Sequence, residues 1–342
     1  MRSEPCGHAP ASKAPALLCV GLRRAAWVLT LGAYLICGPV PHAPAQAARN
    51  GPAAIGSVAM SPSADVPASL RARVAPPSAA VLRIYRESGA KGIGPHRLTS
   101  RDWAALDGAL ATLPQLHRNI LQSRLRHLSF VDTPPGAGNA LTSRVELAGG
   151  PPMFDLTLRA GLFRETLTEF LNGKENALFV PDGSGRVVHI EAGRMPALTY
   201  ILLHEATHAV DLMSEASAAE RDAIRAGVWL DDKGALAPPG DRSPFARNVW
   251  RGGARMPIGG AAGVYSALAA SPFPSIYSAT NAAEYLAEIV AWEWLSTRHG
   301  VKLRVEVRDA GGRPLGVYDP LASPMVRARF PAVQAMLQRH GG

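Results

Sequence analysis

The run His204-Glu205-Ala206-Thr207-His208 constrains this chain most. It sits between Tyr200-Ile201-Leu202-Leu203 and Ala209-Val210-Asp211-Leu212-Met213, with no proline in residues 197–237. Apolar helix formers on both sides predict a buried helix over residues 197–213. On a helix, positions i and i+4 share one face. His204 and His208 can then bind one metal ion, and Glu205 can reach a water there. That combination suits metal-assisted hydrolysis, most often of peptide bonds. The plainer alternative is a core helix whose histidines are satisfied by hydrogen bonds. A second acidic motif downstream favours the metal.

A catalytic zinc keeps three protein ligands and one open position. The best source of a third ligand is Asn281-Ala282-Ala283-Glu284-Tyr285-Leu286-Ala287-Glu288. Asn281 reads as a helix N-cap, followed by an apolar run that includes Leu286, Ile289, Val290 and Trp292. Glu284 and Glu288 are spaced to share one face, and buried carboxylates must be paired or bind metal. Asn281 and Glu284 also fit a capping box, which would hand the ligand role to Glu288. Asp211 follows His208 too closely on one helix to close a tetrahedral site easily. It reads either as support behind the ligands or as a structural residue. No histidine follows His208 before His299, which excludes a three-histidine pattern.

The segment Tyr277…Asn281…Glu284-Tyr285-Leu286-Ala287-Glu288 resembles the second active-site helix of the anthrax lethal factor-type metallopeptidases, which are gluzincins. The resemblance implies a zincin-like fold and one zinc ion on His204, His208 and Glu284. It also implies Glu288 as support for the ligands and Tyr277 as donor to the developing oxyanion. A packed aromatic is the other reading of Tyr277. The tail, residues 328–337, is similar to the helix that closes such domains. The chain departs from the family at Thr207, where the family carries glycine. The stretch 209–283 is long enough to imply an insertion.

The expectation is a zinc-dependent metallopeptidase with a peptide or protein substrate and Glu205 as general base. One alternative is a zinc amidase acting on cell-wall material. The other is a non-catalytic envelope or partner-binding protein with a structural metal site. An intact Glu205 argues against the latter, because a structural site needs no base.

Arg23-Arg24, the apolar residues 25–40 and Ala43-Pro44-Ala45-Gln46-Ala47 read as a signal peptide over residues 1–47. The apolar stretch is shorter than the ~20 residues of a spanning helix. The protein is therefore expected to be exported, periplasmic or secreted, with no stable membrane span after cleavage. A retained signal anchor is the alternative. Cys6, Cys19 and Cys37 all lie in this leader, so the mature chain would have no disulfide and no cysteine site. The net charge of +9 comes from scattered basic residues that do not interleave with aromatics, so no nucleic-acid partner is expected.

Residues 48–77 are rich in Ala, Pro and Ser and read as a flexible linker. Residues 78–342 read as one metallopeptidase domain, of which 78–150 form an N-terminal helical part. Helices are expected at 100–112 and from Pro114, where Gln115 would complete a capping box and Leu116, Ile120, Leu121, Leu125 and Leu128 form the stripe. Strands are expected at 144–147, 154–158 and 187–190, and short helices at 165–171 and from Ser217 to 225. A long loop at 229–263 would rim the cleft. A hairpin at 301–317 and further helices complete an α+β pattern.

Overall fold

The computed structural model describes residues 70–339, except 88, 135, 137, 148–149, 214–217 and 232–233. The expected leader, most of the expected linker and Ser217 lie outside the described residues.

Residues 70–77, expected as linker, belong to the folded body. Arg71–Arg73 form a 3-10 turn, and Val74 bridges in parallel to Leu128. The buried Arg73 guanidinium donates to the carbonyls of Leu121 at 2.7 Å, Leu125 at 2.6 Å and Gln122. Carbonyls at a helix C-terminus lack partners within the helix, so an internal arginine fits there.

The next elements are α1 (Ala79–Glu87), β1 (Gly94–Pro95), α2 (Ser100–Thr112) and α3 (Gln115–Arg124). A capping box from Thr99 and Asp102 starts α2. At α3 the expected capping box is absent. Pro114 is the N-cap, and the Gln115 side chain bonds Arg118 and Asn119 instead. The helix also stops earlier than its stripe suggested, because Leu125–Asp132 is strand β2. Leu128 and Phe130 suit strand alternation as well as a helical face, and parallel pairing with β4 decides the matter.

Strands β3 (Ala140–Val145) and β4 (Met153–Arg159) complete a sheet of order β1-β2-β4-β3. Only β2–β4 is parallel, and β3 forms one edge. The expected strand at 144–147 overlaps only the end of β3. The 78–150 stretch is thus helix plus sheet.

Then come α4 (Leu167–Asn176), β5 (Phe179–Val180), β6 (Val187–Glu191), α5 (Ala197–Met213), α6 (Ala218–Arg225), β7 (Met256–Pro257), α7 (Ala261–Ala269) and α8 (Ala282–His299). The chain ends with β8 (Arg304–Arg308), β9 (Pro314–Tyr318), α9 (Pro324–Arg327) and α10 (Phe330–Arg339). Strands β6, β8 and β9 form an antiparallel sheet, and β5 pairs in parallel with β7.

Every residue of α5 from Ala197 to Val210 is buried. A helix apolar on all sides belongs inside the core. It lies among α8, α3, α2, α4 and β3. One apolar core runs from Leu106 on α2 to Leu337 on α10. The expected loop at 229–263 is largely irregular yet packed, with Phe245 and Asn248 buried. Arg251 pins it by donating to the carbonyls of Gly234, Ala246, Ala279 and Thr280. Among the described residues no helix is long and apolar enough to cross a membrane. The architecture is mixed α+β.

Candidate metal centre

Helix α5 presents His204 and His208 one turn apart, with their Nε2 atoms 3.2 Å from each other. Helix α8 enters at its first turn. Its N-cap Asn281 accepts from the amides of Ala283 and Glu284, both at 2.9 Å. The Glu284 carboxylate does not return to the Asn281 amide; it turns to the histidines. Glu284 Oε2 lies 3.0 Å from His204 Nε2 and 3.4 Å from His208 Nε2. The N-cap is real and the capping box is not.

These three distances test the fit of an ion. Zinc bonds of about 2.0–2.2 Å in a tetrahedron give donor-to-donor edges of roughly 3.3–3.6 Å. The observed edges of 3.2, 3.0 and 3.4 Å lie around and just below the short end of that range, so a small outward shift of the donors admits an ion. His204, His208 and Glu284 form a buried group that can hold a metal ion.

Glu288 lies one turn beyond Glu284 and is fully buried. Its Oε1 accepts from the Tyr200 hydroxyl and lies 3.6 Å from Lys174 Nζ. Its Oε2 accepts from Ser275 Oγ at 2.7 Å and Trp292 Nε1 at 3.1 Å. His204 Nδ1 faces Oε1 at 3.3 Å, an ion-pair approach without the alignment of a hydrogen bond. A carboxylate on that side favours a proton on Nδ1 and leaves the Nε2 lone pair for a metal.

The charged groups of the cluster hold one another. Burial alone would raise the Glu288 carboxyl, but Lys174, His204 and Tyr200 hold it down to about 2. Glu284 is likewise held well below the usual range, against burial, by His208 and His204. The two carboxylates in turn lift His204 to about 10, although burial opposes it. A divalent ion would occupy the same negative field.

Glu205 is also buried, and its Oε2 accepts from Thr142 Oγ1 on the edge strand β3 at 2.7 Å. Burial raises its carboxyl, which the two histidines and Thr142 partly offset. Tyr277 lies in a 3-10 turn before α8, its ring 5.9 Å from that of His204. Burial and the Glu284, Glu205 and Glu288 carboxylates push its phenol well above its ordinary value.

Asp211 is not part of this group. Its carboxylate pairs with Arg225 at 2.6 Å and Arg221 at 3.3 Å, both on α6. Of its two sequence readings the structural one holds, because the guanidinium groups occupy its oxygens.

The sequence reading missed Thr142, Lys174, Tyr200, Ser275 and Trp292. Two carried a signal: Tyr200 precedes His204, and Trp292 follows Glu288, by one helical turn. Thr142, Lys174 and Ser275 reach the cluster through tertiary packing alone. A cavity of about 520 Å³ between the α2–α3 corner, α8 and α10 shares no residue with the cluster. No family model matches the chain, and no curated protein or solved structure matches it.

Proposed function

We propose that this chain is a zinc metallopeptidase of gluzincin type, with α5 and α8 arranged as the two active-site helices of a zincin-like fold. The observation that carries the reading is the triangle of His204, His208 and Glu284 donor atoms, with edges close to those of a zinc tetrahedron. Imidazole and carboxylate donors in that geometry suit zinc.

Two observations favour catalysis over a structural site. Structural zinc sites are closed by four protein ligands, whereas this group has three among the described residues. A buried carboxylate, Glu205, also stands beside the ligands without being one.

Zinc bound here would act as a Lewis acid and lower the pKa of a water to about 7. Glu205 takes a proton from the attacking water and delivers it to the leaving amine. Thr142 orients Glu205 through their hydrogen bond. The Tyr277 hydroxyl donates to the oxygen that gains charge as the amide carbonyl is attacked. Because β3 ends its sheet among the described residues, an extended peptide can pair along that edge beside Thr142 and Glu205. Export through the Ala47 cleavage signal belongs to the same proposal.

The test is metal analysis of purified protein together with cleavage of a peptide library. The expected result is about one zinc per chain, peptide cleavage by the wild type, and retained zinc without cleavage in Glu205→Gln. A wild type that purifies metal-free and takes up no zinc on reconstitution overturns the reading.

A further inference from the structure

Lys174 lies in the last turn of α4, its side chain only 12% exposed. Lysine is almost never buried without a partner. Its ammonium lies 3.7 Å from the centre of the Tyr277 ring and 3.6 Å from Glu288 Oε1. The Trp250 ring centre lies at 5.6 Å and that of Tyr200 at 6.0 Å. One cation thus meets aromatic faces from α5, from the stretch joining α6 to β7 and from the turn before α8. Separations within about 6 Å are those at which a ring quadrupole attracts a cation. The neighbouring Glu175 turns away and accepts from Tyr265 at 2.7 Å.

We propose that Lys174 is a positioning residue of the metal centre, seating the Tyr277 ring and neutralising Glu288 so that Glu288 orients His204. The proposal rests on the metallopeptidase reading. Its logic is charge balance in a dry space. Three buried carboxylates, Glu205, Glu284 and Glu288, are matched by a divalent ion and one ammonium. Without the ammonium, Glu288 would carry uncompensated charge beside His204 Nδ1, and burial penalises that heavily. The Tyr277 ring would also lose the cation on its face, while Trp250 packs edge-on at 5.0 Å.

The experiment compares full-length wild type with Lys174→Met, Lys174→Gln and Lys174→Arg. Zinc affinity is read by competition with a chelator, kcat and KM on a cleaved peptide, and folding by thermal melting. Folded Lys174→Met and Lys174→Gln should lose zinc affinity about 10–100-fold, as when other groups behind metal ligands are removed. Their kcat should fall with KM little changed, and Lys174→Arg should recover most of both. Should Lys174→Met fail to fold, the Gln and Arg variants decide. Folded neutral variants with wild-type zinc affinity, or an Arg variant as impaired as they are, overturn the assignment and leave the zinc site standing. A wild type that binds no zinc overturns both.

Discussion

His117 on α3 and Thr207 on α5 meet at 2.9 Å, Nε2 to Oγ1, inside the core and one residue from His208. The Thr207 hydroxyl donates to the Leu203 carbonyl at 2.8 Å, so it must accept from His117. The proton therefore sits on Nε2, and the buried Nδ1 keeps a bare lone pair, with no hydrogen-bond partner among the described residues. Thr207 stands where the lethal factor-type pattern has glycine, and its hydroxyl ties the helix of the histidine pair to α3.

This tie predicts acid sensitivity. Burial pushes His117 from its ordinary 6.5 down to about 3. Between those values the unfolded chain takes up a proton that the folded chain refuses. Stability is complete above pH 6.5 and falls on acidification, by up to ~1.4 kcal/mol per pH unit. Denaturant midpoints at pH 7 and pH 5 should fall further for wild type than for His117→Gln. Parallel losses in the two proteins would refute the assignment.

Glu284 and Glu288 should separate cleanly. Glu284→Ala is expected to lose zinc, because it removes one of three donor atoms. Glu288→Ala should weaken binding only ~10–100-fold, since it acts through His204. Zinc titration of both variants checks this, and a zinc-free Glu288→Ala beside a loaded Glu284→Ala would reverse the roles.

Glu205 and Tyr277 should affect rate and not metal content. Glu205→Gln is expected to lower turnover about 10²–10⁴-fold and Tyr277→Phe about 10²–10³-fold. Both variants should keep zinc and melt near the wild-type temperature. Near-wild-type turnover in Tyr277→Phe would reduce that residue to a packed aromatic.

Asp211→Ala should weaken the fold and spare the zinc. Its partners Arg221 and Arg225 hold α6 against the end of α5. The three side chains remain 12–18% exposed. The expected loss is therefore about 1–3 kcal/mol, below the ~3–5 kcal/mol of a fully buried pair. Equilibrium unfolding measures it, and zinc loss at unchanged stability would contradict the pairing.

The helix of the histidine pair was legible because its whole signal lies within one segment: two histidines, a carboxylate and apolar flanks. The β8–β9 hairpin was legible for the same reason, through Gly311-Gly312 between two alternating runs. Residues 125–132 were not, because helix and strand periodicities both fit them and the partner that decides, β4, lies far along the chain. The choice between Glu284 and Glu288 turned on which way one side chain points from a helix N-terminus, and local spacing is silent on that. Lys174 and Thr142 are invisible to any local pattern. An isolated lysine in α4 and a threonine in a strand acquire meaning only when packing brings them to Tyr277, Glu288 and Glu205.

The bridge between Val74 and Leu128 fixes where the segment from Leu70 to Val74 joins the sheet. Val74 lies against β2, with β4 and then β3 following across the sheet. At about 4.8 Å per strand, it stands roughly 14 Å from the edge that carries Thr142. Val74 and the edge of β3 therefore lie on opposite sides of this sheet. A second chain that pairs along the β3 edge would therefore leave the Val74–Leu128 bridge untouched.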